Sequence, residues 1–278
     1  MRPLAALVLS GLLTAFPSSL LAQTGFTTQV IPTQQFSSEI LSADFNGDHK
    51  PDLLVGGQST QNGAQIYLNA SGSGAPYAQP FGIQYTQAVS HYAIADLNGD
   101  GFPDIAACYS QIQYGAATGP FSVVTFFNDG TGHFALHQTS ATSPGVCQAL
   151  TIGDVNRDGH PDVVTASQVP PVSNSSPTLA PPHSYVQTWF SDAVGNLGTP
   201  VTESDINLNV NSTDGCGVTS MVGGNFFGDG NFNLLLHTNC YTTNGGASGP
   251  ITTRPMVSCS QNAIISSWSV SSVSKHSA

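Results

Sequence analysis

The chain has 278 residues, 16 of them acidic and only five Lys or Arg, for a formal net charge of −11. So few cations leave no basic stripe for phosphates, which excludes nucleic acid as a natural partner. Charged residues make up 8% of the chain, and nine of the acids fall in three nine-residue segments, so the charge is confined to fixed positions rather than spread over a solvated face.

The N-terminus reads as a secretory signal over residues 1–22. Arg2 supplies the positive start, Leu4 to Leu13 and on to Leu21 the apolar stretch, and Ala22 a small residue for cleavage before Gln23. Pro17, Ser18 and Ser19 interrupt that stretch and leave it short for a bilayer, and no later run is long and apolar enough to span. The expectation is an exported protein with no membrane span.

Next comes a short apolar stretch, Ile40-Leu41-Ser42-Ala43, followed by the first acidic segment, Asp44 to Asp52. Its side-chain oxygens stand at positions 1, 3, 5 and 9: Asp44, Asn46, Asp48 and Asp52. A second apolar stretch, Leu53 to Gly56, follows, and then Gln65 to Asn69. Ile-, Val- and Leu-rich runs of four to six residues bounded by Gly and Asp read as strands, so the acidic segment is the turn of a hairpin.

The same order recurs. Tyr92 to Ala95 leads into Asp96, Asn98, Asp100 and Asp104, then Ile105 to Ala107 and Val123 to Asn128, and a turn at Asn128-Asp129-Gly130-Thr131-Gly132 runs into Phe134. Ala149 to Gly153 leads into Asp154, Asn156, Asp158 and Asp162, then Val163 to Thr165 and Val186 to Ser191, with Asp192 to Gly198 in the place of the turn. Pro170 to Pro182, rich in Pro and Ser, reads as a long surface loop. A fourth copy, Asn225 to Asn233, keeps Asp229-Gly230 but has Phe227 at position 3 and Asn233 at position 9, and is expected to keep the loop and lose its affinity.

First positions at 44, 96, 154 and 225 give spacings of 52, 58 and 71 residues, a period of propeller or solenoid arrays. Carboxylates crowded into nine residues repel unless a cation lies between them. Six to eight oxygens in a flexible loop suit calcium better than magnesium. An EF-hand is excluded because position 12 is Val55, Ala107 and Thr165 where a bidentate Glu is needed.

Strand, Asp-x-Asn-x-Asp loop, strand, then Phe-Asn-Asp-Gly-x-Gly-x-Phe resembles the FG-GAP and VCBS repeats that build the β-propeller of integrin alpha chains and of many secreted bacterial proteins. The resemblance covers residues 37 to 240. It implies an all-β fold, a β-propeller of four-stranded blades, partial or few-bladed, over residues 23–260 with a Ser-rich tail over 261–278. It also implies calcium held by the side chains at positions 1, 3, 5 and 9 and by the backbone carbonyl at position 7, which is Lys50, Phe102 and His160. Four units fill the length where seven blades are common in the family, so an open partial propeller is expected.

Five cysteines follow the signal, none as Cys-x-x-Cys, so neither zinc nor a thioredoxin-like motif is indicated. Cys108 with Cys147, and Cys216 with Cys240, are candidate pairs, which leaves Cys259 free. The histidines fall at no metal-ligand spacing, Glu39 and Glu203 are the only glutamates, and no nucleophile elbow, phosphate loop or His-Glu-x-x-His is present. The chain is therefore expected not to be an enzyme. The leading expectation is a secreted calcium-binding module that contacts extracellular protein or glycan. The rivals are an accessory propeller of a polysaccharide-active enzyme and a structural or truncated product with no ligand beyond calcium.

Overall fold

The computed structural model describes residues 30, 37–57, 64–70, 77, 81–83, 89–113, 116–169, 183–203, 214–242 and 262–265. Contacts divide the chain into Met1–Pro32 and Thr33–Ala278, and the described strands all lie in the second unit. The segments read as signal (1–22), Pro/Ser loop (170–182) and free Cys259 lie outside the described residues.

Among the described residues the fold is all-β, with strands in four antiparallel sheets taken in chain order. The first sheet holds β1 (Ser37–Ala43), β2 (Asp52–Gly57), β3 (Ala64–Tyr67) and β4 (Phe81–Ile83), each paired with the next. The second holds β5 (Val89–Ala95), β6 (Asp104–Gln113), β7 (Ala116–Asn128) and β8 (Phe134–Thr139) in the same order. The third repeats it with β9 (Val146–Gly153), β10 (Asp162–Val169), β11 (His183–Trp189) and β12 (Val201–Glu203). The fourth shows β13 (Asp214–Gly224), β14 (Asn233–Thr242) and β15 (Asn262–Ile265). The last strand lies in the stretch read as tail; Ala263, Ile264 and Ile265 pair with Leu236, Leu235 and Leu234, which gives it a place in the sheet.

Each acidic segment closes the hairpin between the first two strands of its sheet. Ala43 pairs with Asp52, Ala95 with Asp104, Gly153 with Asp162 and Gly224 with Asn233, so positions 1 to 8 form the turn and position 9 opens the second strand.

The sheets are held together by apolar layers between them, and strand alternation supplies both layers from one strand. In β6, Ile105 and Ala107 pack with Leu54 and Ile66 of the first sheet. Ala106 and Cys108, one residue out of step, pack with Val163 and Trp189 of the third. In β10 the neighbours Val164 and Ala166 turn the other way, toward Leu234 and Leu236 of the fourth. A strand buried on both faces can read as a continuous apolar run, as Ile105 to Cys108 do in β6, whereas in β10 the alternate residues Thr165 and Ser167 are polar yet fully buried. Trp189 is fully buried and meets Phe121 edge-on with ring centroids 6.0 Å apart. Each such large side chain contributes roughly 1.5–3 kcal/mol through burial. A disulfide, Cys108–Cys147, fastens β6 to β9 across the same layer. Cys216 and Cys240 are register partners in β13 and β14.

Candidate metal centre in the hairpin loops

The loop geometry follows from short side chains accepting hydrogen bonds from their own backbone. In the second loop Asp96 Oδ1 accepts the N–H of Gly99 (2.8 Å) and Asp100 (3.1 Å), and Asp96 Oδ2 that of Gly101 (2.9 Å). Asn98 Oδ1 accepts the N–H of Asp100 and Asp100 Oδ1 that of Phe102, both at 2.9 Å. The first loop repeats this with Asp48 N–H donating to Asp44 and Asn46, His49 N–H to Asp44 and Lys50 N–H to Asp48. The third does so with Asp158 N–H on Asp154 and Asn156, Gly159 N–H on Asp154 and His160 N–H on Asp158. Positions 1, 3 and 5 are thereby wound round one turn. Their donor set is two carboxylates and one amide oxygen per loop, hard oxygen chemistry that fits calcium.

Position 9 stands apart. Asp52, Asp104 and Asp162 are fully buried. In each, Oδ2 accepts the N–H of position 2: Phe45, Leu97 and Val155, all at 2.9 Å. Oδ1 reaches across to the end of the third strand, to the N–H of Asn69 (2.6 Å), Asn128 (2.9 Å) and Ser191 (3.0 Å). A carboxylate with a buried N–H on each oxygen is a structural tie, and its lone pairs toward the loop are what remain for a cation. Burial pushes all three acids up against the pull of these N–H groups, Asp162 to about 6 with nearby Asp158 adding to the rise. Among the described residues no three His, Cys, Asp or Glu side chains converge on one point, consistent with an inward-turned position 9 and an amide at position 3.

The side chains of the position-7 residues turn to other contacts. The Phe102 ring covers Gly130, where a Cβ would lie 2.7 Å from it, and reaches Gly47 of the first loop. His160 is half-buried. Lys50 turns its ammonium onto Asp48 at 3.3 Å. For Asp48, partial desolvation is outweighed by the backbone N–H and charge of Lys50, which hold its carboxyl below the ordinary range. The first loop thus carries an internal cation beside one of its proposed ligands.

Position 6 separates the loops further. Gly101 and Gly159 lie at φ +90°, in the left-handed region, and His49 occupies the same region at φ 63°. At position 4 the strained residue is Arg157, at φ 63°. Its guanidinium donates to Asn231 Oδ1 of the fourth loop, joining neighbouring turns, and helps hold Asp229 below its ordinary value behind the hydrogen bonds from Asn231. In that fourth loop Asn233 replaces the buried aspartate and its Oδ1 still accepts the Phe226 N–H, at 3.2 Å. The bond to position 2 persists where the charge is lost.

By its place in the repeated pattern, position 9 is one expected ligand among five. Its other role depends on Asn69, two residues past β3, Asn128, the last residue of β7, and Ser191, two residues past β11, which stand in equivalent places in the three sheets. Asn128 Nδ2 also donates to Phe45 O of the preceding loop at 2.8 Å, a contact between repeats that no local pattern reveals.

Fold and loops together define a repeat protein built of antiparallel sheet units with Asp-rich hairpin turns. Residues 44–107, from the first loop through the second, match the family described as FG-GAP-like repeat. The match reaches the repeat and not the integrin alpha-chain propeller as a whole. No curated protein matches the chain.

Proposed function

We propose that this chain is an exported, non-catalytic binding module whose three intact loops each hold calcium, and whose exposed loops contact an extracellular protein or glycan. The observation that carries it is the threefold recurrence of the position 1, 3 and 5 network, in which backbone N–H groups gather two carboxylates and an amide oxygen on one turn. Asp44, Asn46 and Asp48, Asp96, Asn98 and Asp100, and Asp154, Asn156 and Asp158 would hold the ion. The carbonyls of Lys50, Phe102 and His160 and the free lone pairs of Asp52, Asp104 and Asp162 would complete each set. The ion supplies charge neutralisation and rigidity, so its part is structural.

No helix among the described residues is long and apolar enough to cross a membrane, which is compatible with export. The FG-GAP-like match supports the binding or adhesion class. Calorimetric titration with calcium, and thermal melting with and without chelator, test the metal: about three sites and a chelator-sensitive melt are expected. Absence of binding would remove calcium from the reading. A glycan and protein array, run with calcium, tests the partner, and an array without hits would leave a purely structural repeat.

A further inference from the structure

The three intact loops carry asparagine at position 3, and the residue after it differs: Gly47, Gly99 and Arg157. All three of these residues share the left-handed backbone, at φ 72°, 76° and 63°. In each loop the position-3 Oδ1 accepts the N–H two residues on, at 3.1 Å for Asn46, 2.9 Å for Asn98 and 3.0 Å for Asn156. That bond folds the carboxamide carbon back over the intervening peptide, beside the nitrogen of the next residue. What differs is how the rest of the carboxamide is held. Asn98 Nδ2 donates to Asp100 Oδ2 at 3.0 Å and Asn156 Nδ2 to Asp158 Oδ2 at 2.8 Å. In the first loop the ammonium of Lys50 donates to the equivalent oxygen, Asp48 Oδ2, at 3.3 Å, and among the described residues Asn46 Nδ2 makes no such bond. The Gly99 N–H is likewise fixed, on Asp96 Oδ1 at 2.8 Å, whereas Asp44 takes the N–H groups of Asp48 and His49 and not that of Gly47.

A backbone nitrogen beside an asparagine carboxamide is a nucleophile next to an electrophile. When the Gly47 nitrogen gives up its proton and attacks Asn46 Cγ, the new N–Cγ bond closes a succinimide ring and the Cγ–Nδ2 bond breaks, Nδ2 leaving as ammonia with that proton. Water then opens the ring at either carbonyl, to aspartate or to isoaspartate. Attack comes from above the carboxamide plane, so a carboxamide clamped at both ends resists it and one held at Oδ1 alone can turn. Glycine has no Cβ to crowd its nitrogen, and Gly47 is exposed. Arg157 carries a side chain there, itself bonded to Asn231. We propose that Asn46 is a modification site that deamidates spontaneously in the folded chain, while its clamps protect Asn98 and Arg157 shields Asn156. The product matters to the loop. Aspartate would make three carboxylates of positions 1, 3 and 5, and isoaspartate would add a methylene to the main chain just after Phe45, whose N–H is tied to Asp52.

Peptide mapping of the full chain by mass spectrometry, over a time course at mildly alkaline pH, tests this, with isoaspartate told from aspartate by fragmentation. Chelator is present throughout, so that no cation holds the loops. Conversion at Asn46 is expected to be about tenfold faster than at Asn98, the effect of releasing one or two hydrogen bonds, with none at Asn156. In urea, where only the shared Asn-Gly sequence counts, Asn46 and Asn98 should convert at one rate. Lys50→Met leaves Asp48 Oδ2 for Asn46 Nδ2 and should slow conversion toward that of Asn98, and Asn46→Gln should abolish it. An Asn46 that survives in the folded chain while it converts in urea would overturn the proposal, as would equal folded-state rates at Asn46 and Asn98. A Lys50→Met variant that converts as fast as wild type would overturn the part given to Lys50.

Discussion

Asp104 Oδ1 accepts the backbone N–H of Asn128 at 2.9 Å, 24 residues away, while its Oδ2 holds the N–H of Leu97. One carboxylate at the start of the second strand thus ties the loop to the end of the third strand, and Asp52 and Asp162 do the same in their sheets. Asp104→Ala should leave two buried N–H groups unpaired and cost about 2–4 kcal/mol in chelator. Asp100→Asn, on the exposed side of the loop, should leave chelator stability within about 0.5 kcal/mol and weaken calcium binding. Urea unfolding of the two variants, with and without metal, separates the tie from the ligand. Equal losses in chelator would refute the division.

The first loop should be the weakest of the three intact ones, because Lys50 lies 3.3 Å from Asp48 and competes with any cation. Lys50→Gln is expected to raise affinity at that site by about two- to fivefold, read as a change in one site of the calorimetric titration. Unchanged affinity would mean the ammonium swings clear when metal arrives.

His49 holds a left-handed backbone where the other intact loops use glycine. His49→Gly should stabilise the protein by about 0.5–1 kcal/mol through relief of that strain, offset in part by the greater freedom of the unfolded chain. Thermal melting in chelator measures it. A drop in stability would show that the contact of His49 with Asp44, at 3.7 Å, outweighs the strain.

Glu39 accepts the Tyr92 N–H at 3.0 Å, joining the first two sheets, and burial raises its carboxyl despite that bond. A folded-state pKa above the unfolded one means the native state binds the proton more tightly. The stabilisation is fully present below the ordinary value of 4.5 and is lost as the pH climbs through the raised folded value. The difference in stability between wild type and Glu39→Gln, measured in chelator, should therefore move against wild type as the pH rises through this window. Taking the difference cancels the similar trend from Asp162. A flat difference would contradict the burial.

Cys108 and Cys147 close a loop with a sequence separation of 39 residues. On the chain-entropy account, Cys108→Ser with Cys147→Ser should cost about 4 kcal/mol. Denaturation of that variant against wild type checks it, and a loss below about 1 kcal/mol would show that the apolar layer between the sheets suffices alone.

Much of this molecule is legible in its residues because the determining chemistry is local. An Asp, Asn or Asp two residues apart folds back on its own N–H groups wherever it stands, so the loops, the hairpins they close and the flanking strands follow from the pattern at residues 44–52, 96–104 and 154–162. The matching half-turns at Asn128 and Asp192 follow for the same reason. Tertiary structure decided what the Oδ1 atoms of Asp52, Asp104 and Asp162 do, since their partners lie 17 to 29 residues away and become neighbours only once the third strand is in place. It also decided which face of each strand meets which sheet, because both faces are buried: Ile105 to Cys108 run apolar throughout, and Thr165 and Ser167 are as fully buried as the Val164 and Ala166 they alternate with. Phe226, ordinary in sequence beside Phe45, Leu97 and Val155, is the one of the four left exposed: among the described residues the fourth sheet packs against a neighbouring sheet on one face, and burial at that position depends on a layer over the other.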